Sequence, residues 1–205
     1  MLNAGRKIRI ALLCLLDALA IHAQLFDPAS LDTAGQVVVN GRSTPYLIRR
    51  LPVSSFPQLP AAVQAELNRR GCLIPQSYEA HGPENVVRGS VERRGSSDWV
   101  ALCSVQGTVS LLVFFGDSPD EPAVLASVPE TERLGPTTLS GQTAALGFNW
   151  EIDVATPERV HAAQVGMRNR PAMQDHDAVA ESEIDQWTTY HYFDGGRWKL
   201  VVTGD

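Results

Sequence analysis

Cysteine is scarce in this chain, with three in 205 residues, and no two of them form a CxxC pair. That removes zinc-ribbon and thioredoxin-type readings. Also missing are HExxH, a Walker loop, a GxGxxG that opens a helix, and GxSxG. Their absence takes away the motif-level case for a zincin, a P-loop enzyme, a dinucleotide-binding fold or a nucleophile elbow. A Ser/His/Asp triad drawn from distant positions stays open, since such triads are defined by geometry and not by order. No basic stripe is present: Arg49-Arg50, Arg69-Arg70 and Arg93-Arg94 are scattered, and the formal net charge is −6. These arginines read as solvated surface or salt-bridge partners, and nucleic acid is not an expected partner. No internal repeat or low-complexity tract stands out.

What is present begins at the N-terminus. Arg6, Lys7 and Arg9 precede the apolar run Ile10–Ile21, broken only by Asp17, and Ala23 supplies a small residue before Gln24. Basic, apolar, small is the layout of a secretory signal peptide, here residues 1–23. The run has about 12 residues where a membrane span needs about 18 to 20, and no later run is long enough either, so no stable membrane anchor is expected after cleavage. Cleavage removes three basic residues and one acidic one, which makes the chain two charges more negative. Cys14 goes with the signal peptide; the alternative, a lipid-attachment cysteine, lacks a small residue directly before it. Cys72 and Cys103 remain, an even pair suited to a disulfide in an oxidising compartment. The chain-entropy cost of opening a loop of roughly 30 residues makes that bridge worth about 3–4 kcal/mol. The alternative is two buried free thiols.

Residues 24–58 carry Pro28, Pro45, Pro52 and Pro57 and read as an extended N-terminal arm. It holds a short hairpin, with Gln36–Val39, an Asn40-Gly41 turn and a return strand at Tyr46–Leu51. Leu59-Pro60 opens a helix over Ala61–Arg70, with Pro60 in the first turn and Gly71 as its stop. Strands follow at Asn85–Glu92, Asp98–Val105 and Thr108–Phe115. The last is apolar on both faces, so it is expected at the centre of a sheet with the helix packed on it. A shorter strand is expected at Ala123–Val128. Phe148–Val154 alternates apolar and polar residues as a half-buried strand does. Thr156-Pro157 starts a second helix to Gln164. Residues 169–178 read as a loop, and the chain closes on a hairpin, Thr188–Phe193 and Arg197–Thr203. The fold class is therefore α+β: a mostly antiparallel sheet with one or two packed helices, in a single globular domain over 59–205.

One dense cluster has ligand chemistry. Asp175-His176-Asp177, with Glu181, Glu183 and His191 downstream, could hold a divalent ion or exchange protons. The competing reading is a polar loop whose aspartates cap turns. Asp98 joins Asp175, His176, Asp177 and His191 as a metal candidate. His81 and His161 stand alone. Ser54-Ser55, Ser96-Ser97 and Ser140-Gly141 supply serines without a motif around them. Trp99, Trp150, Trp187 and Trp198 read as core and sheet-face aromatics, with a carbohydrate platform as the alternative.

Two resemblances add to this. Gly89-Ser90-Val91-Glu92-Arg93-Arg94-Gly95-Ser96-Ser97-Asp98-Trp99-Val100-Ala101-Leu102 resembles a degenerate FG-GAP-type calcium loop through Gly89, Gly95 and Asp98. Ser90 and Glu92 occupy two of the ligand positions, but Arg94 occupies a third, and a cation there opposes Ca²⁺. The resemblance implies a loop kept for its shape, with arginine in place of the ion. Residues 46–205 also resemble a group of uncharacterised secreted bacterial proteins. The carriers are Gly71–Gln76, Asp98–Ser104, His191-Tyr192-Phe193 and Gly196-Arg197-Trp198. That resemblance implies the fold and the disulfide, and no activity.

These readings lead to an exported binding or interaction protein without catalysis and without a cofactor, acting in the periplasm or outside the cell on an unknown protein or small molecule. The alternative is a secreted hydrolase or metal-dependent enzyme using Asp175, His176 and Asp177, with Asp98 or His191. The two differ in what they need: converging side chains in a concave pocket for the enzyme, an exposed apolar patch or open sheet edge for the binding protein.

Overall fold

Strands dominate because apolar residues recur with period two between turn-forming residues. The computed structural model describes residues 31–116, 119–137, 144–167 and 170–204. The expected signal peptide, Cys14, Ser140-Gly141 and Asn169 lie outside them. The chain opens with β1 (Thr33–Val39) and β2 (Arg42–Pro52), then α1 (Ala61–Arg70), β3 (Leu73–Gln76) and β4 (Val86–Gly89). It continues through β5 (Asp98–Val105), β6 (Thr108–Phe114), β7 (Ala123–Pro129), β8 (Leu134–Pro136) and β9 (Leu146–Phe148). Then come β10 (Trp150–Ala155), α2 (Pro157–Ala163), β11 (Ala178–Glu183), β12 (Trp187–Asp194) and β13 (Arg197–Gly204).

The described residues form two sheets where the sequence suggested one. The first runs β7-β6-β5-β3-β2-β9-β8, with β1 added to β2 and β4 to β5; the second runs β10-β11-β12-β13. All pairs are antiparallel except β2 with β9. The N-terminal hairpin forms on Asn40 and Gly41, both at positive φ (50° and 75°), as a tight hairpin turn of this twist requires. β2 then pairs with β3 over Arg49–Pro52 and with β9 at Tyr46 and Leu47. Residues 33–52 are thus part of the sheet and not an arm beside it, and Leu31–Asp205 form one unit. Pro60 is the residue before α1, with extended ψ, and not a member of its first turn; Gly71 ends the helix at φ 76°.

The two faces of the first sheet are covered differently. On one, Leu112 and Phe114 of β6 meet Phe56, Leu59, and Val63 and Leu67 of α1. On the other, Val109, Leu111 and Val113 meet Trp150, Ile152 and Val179 of the second sheet. β6 is therefore buried on both sides, as its sequence implies. The expected strand Phe148–Val154 is split at Asn149: Phe148 ends β9 in the first sheet and Trp150 begins β10 in the second. Helix α2 lies on the far face of the second sheet, where Val160 packs with Ala155, Ala178, Ala180, Tyr190, Tyr192 and Val201. The helices thus flank two stacked sheets and do not share one face. Cys72 and Cys103 form the expected disulfide, tying the end of α1 to β5.

The expected strand at 85–92 stops at Gly89. A Cβ at this glycine would come within 2.8 Å of Val154 on β10, so the close approach of β4 to the second sheet needs glycine there. The arginine pairs divide by burial. Arg69 and Arg70 both bond Glu66 on α1. Arg50 forms a buried ion pair with Glu130, which also accepts from Ser104.

Candidate functional site

Asp98 opens β5 and is fully buried. Its Oδ2 accepts from the backbone N–H groups of Val91 and Glu92, each at 2.7 Å, and from the Ser96 hydroxyl. Its Oδ1 accepts from Gly116 N–H at 2.8 Å. Four donors converge on one carboxylate, and the 90–97 loop wraps around it. A cation at this carboxylate would face N–H and O–H hydrogens instead of lone pairs, so Asp98 is a loop anchor and not a metal ligand. Arg94 is exposed and does not fill the loop, contrary to the expectation of an arginine in place of an ion.

The Asp175-His176-Asp177 cluster is consumed in the same way. His176 is held between Asp175 Oδ1 (2.8 Å from Nδ1) and the Phe193 carbonyl (2.7 Å from Nε2). That contact holds the exposed Asp175 carboxyl below the usual carboxylate range. Asp177 reaches the opposite way. Its Oδ2 accepts from Ser90 N–H and its own N–H donates to the Ser90 carbonyl, both at 2.9 Å. The Ser90 hydroxyl donates to the Ser96 carbonyl, so the two loops form one network with Asp98 at its far end. Asp177 and Asp98 thus stand at opposite ends of a network through Ser90 and Ser96, while Asp175 and His176 turn to the Phe193 carbonyl. Among the described residues, no three His, Cys, Asp or Glu side chains are grouped to hold a metal ion.

His191 lies elsewhere. Register places Trp150, Glu183 and Trp187 in one row across the second sheet, and Ile152, Glu181, Thr189 and Val202 in the next. Val154, Val179, His191 and Leu200 form a third row on the same face, the one turned towards the first sheet. Glu181, Thr189 and His191 are buried polar groups in this otherwise apolar layer. His191 Nε2 is 3.0 Å from Glu181 Oε1, within ion-pair range but not aligned as a hydrogen bond. Glu181 Oε2 and Trp150 Nε1 are buried and have no hydrogen-bond partner among the described residues. Nearby, Arg133 pairs with Glu183 at 2.6 Å and stacks 4.3 Å from the centre of the Trp150 ring. The Glu181–His191 pair, with a carboxylate oxygen unused, is the group of this layer that could accept a hydrogen bond from a small polar molecule. The sequence offered Glu181 and His191 only as members of the Asp175 cluster; their pairing across β11 and β12 depends on a register the sequence does not display.

Trp99 and Trp150 are buried, Trp187 lies 5.6 Å from the Arg133 guanidinium, and Trp198 joins Phe115 and Phe193 in an aromatic cluster with centroids 5.1–6.0 Å apart. His81 is exposed in a loop, and His161 lies on α2. Ser54-Ser55 sit in a single 3₁₀ turn. No helix among the described residues is long and apolar enough to cross a membrane. At the edge of the second sheet, β13 leaves Leu200 and Val202 58% and 66% exposed. Compared with protein-family models, curated proteins and solved structures, the chain finds no match in any of the three.

Proposed function

We propose that this chain is an exported, non-catalytic binding protein that engages a partner through the open edge of its second sheet. The observation that carries this reading is β13, an eight-residue strand paired on one side only, with two large aliphatic side chains exposed in a row. Exposed apolar side chains on an open strand edge are the feature that strand addition uses. Export is supported by the basic, apolar, small pattern of residues 1–23 and by the Cys72–Cys103 disulfide. The shape of the 89–98 loop, closed on Asp98 by its own donors, supports the resemblance to an ion loop that has lost its ion.

The test is site-specific photo-crosslinking in the exported fraction, with the crosslinker at position 202 and a control at exposed Glu132. A defined adduct from 202 and none from 132 is the expected result. No adduct from 202 overturns the reading.

A second reading, a metal-dependent or hydrolytic enzyme, has one observation in its favour, the buried Glu181–His191 pair with its unused Glu181 oxygen. Thermal shifts with Ca²⁺, Zn²⁺ or Mg²⁺ against a chelator address it. A rise of several degrees that is lost in His191→Ala favours the enzyme, because a ligand of the native state raises its melting point.

A further inference from the structure

Sheet edges in this protein are not equally open. β8 is three residues long and ends in Pro136. β7 is bracketed by Pro122 and Pro129, and its pairing with β6 shifts register at Leu111/Leu112. β10 carries Glu151 and the exposed Asp153. Prolines, bulges and charges of the kinds at β7, β8 and β10 block strand addition. β1 has none of them and pairs in unbroken register with β2, but on its exposed face Val38 follows Ala34 and Gln36, so it offers one large aliphatic side chain where β13 offers two. β13 carries Arg197 and Lys199 but no proline and no bulge, and pairs in unbroken register with β12, from Asp194↔Arg197 to Trp187↔Gly204.

The residues of β13 are complementary to themselves. Trp198, Leu200 and Val202 lie on the face towards the first sheet; Lys199, Val201 and Thr203 lie on the other, with Val201 buried among the side chains that α2 covers. We propose that β13 pairs antiparallel with β13 of a second copy about a twofold axis through Val201, joining two four-stranded sheets into one of eight. This rests on the reading of β13 as the interaction edge and names its occupant. In this register Leu200 meets Val202 of the second copy, and Val202 meets its Leu200. The four exposed aliphatic side chains form two facing pairs in one apolar patch, at the spacing at which cross-strand neighbours stabilise a sheet. Lys199 lies opposite Thr203, so no like charges meet, and each lysine is bonded to Asp194 of its own hairpin. Centring the axis on Lys199 instead would set the two ammonium groups against each other. A closed twofold also uses up both edges, so the assembly stops at two copies.

Sedimentation equilibrium on the purified, oxidised protein tests this with L200K and V202E. Both positions are exposed, so each variant is expected to melt within ~2 °C of the wild type. The wild type is expected to pass from monomer to dimer as its concentration rises. Each variant alone is expected to dimerise at least ~10-fold more weakly. An equimolar mixture of the two regains the dimer, because the introduced ammonium then faces the introduced carboxylate while Val202 of one chain still meets Leu200 of the other. A wild type that stays monomeric to ~100 µM, a dimer insensitive to both variants, or a mixture no tighter than its components overturns the proposal. The crosslinker at 202 separates this from the broader reading. An adduct of twice the chain mass is the expected product. An adduct with a different protein, from a chain that stays monomeric, overturns self-pairing and leaves the binding reading standing. No adduct overturns both.

Discussion

Replacing Asp98 with alanine should destabilise the protein more than any single change on its surface. The carboxylate is fully buried and accepts from Val91 N–H, Glu92 N–H, Gly116 N–H and the Ser96 hydroxyl. Hydrogen bonds to a charged acceptor contribute about 1.5–3 kcal/mol each, and a buried donor left unpaired costs about 1–3 kcal/mol. Val91 is itself fully buried, so its N–H cannot turn to water; the other three donors are partly exposed and recover some solvation. One full penalty and three partial ones come to about 3–5 kcal/mol, a large share of the 5–15 kcal/mol that typically holds a domain together. Urea unfolding of wild type and Asp98→Ala, with m held in common, measures the difference. Hydrogen exchange locates it: protection should fall first at Val91, Glu92 and Gly116. A loss under about 1 kcal/mol would refute the account of Asp98 as the loop's anchor. So would a wild-type loss of equal size on adding a chelator, since that outcome assigns the carboxylate to an ion.

Two further measurements follow from the same geometry. Reducing the Cys72–Cys103 bridge, with its sequence separation of 31, should cost about 3–4 kcal/mol and lower the melting temperature by roughly 8–15 °C. A drop under ~2 °C in reductant would contradict it. Two glutamates should give opposite pH slopes. Hydrogen bonds from Arg69 and then Arg70 lower the Glu66 carboxyl from 4.5 to about 2, so its contribution is present above pH 4.5 and is lost as pH falls towards 2. Burial raises the Glu151 carboxyl against the Ser77 hydrogen bond, with Glu84 and Glu79 adding to the rise. The folded state then holds a proton that the unfolded state releases, and stability falls as pH climbs above the ordinary carboxylate value. Glu151→Gln should therefore gain on the wild type with rising pH in that window; a constant gap between the two would exclude the linkage.

Much of the fold was legible where one physical signal dominated. The Asn40-Gly41 turn needs positive φ, and it sits where the structure turns. Thr108–Phe114 is apolar on both faces, and it lies between two packed layers. The elements that escaped had no such signal. β3, β8 and β9 are three or four residues long, too short for a period to show, and two of them contain proline. The second sheet was missed because Asn149 is buried in mid-run, so FNWEIDV reads as one strand although the chain changes sheets there.

The neighbours of the candidate residues were not legible for a related reason. In β11 the sequence AVAESE sends Ala178, Ala180 and Ser182 towards the α2 side, and Val179, Glu181 and Glu183 into the space between the sheets. Small residues on one face and carboxylates on the other look like a polar loop, because the usual rule puts carboxylates outside. Proximity in sequence misled in the same direction. On an extended chain neighbouring side chains point apart, so Asp175 bonds His176 while Asp177 crosses to Ser90. His191 belongs to neither: it lies beside Val179 and diagonal to Glu181, a neighbour set by the register between β11 and β12. A carboxylate–imidazole pair in an apolar layer, with one oxygen unused among the described residues, carries a desolvation cost that the run at 175–177 meets with its own hydrogen bonds through His176 and Asp177.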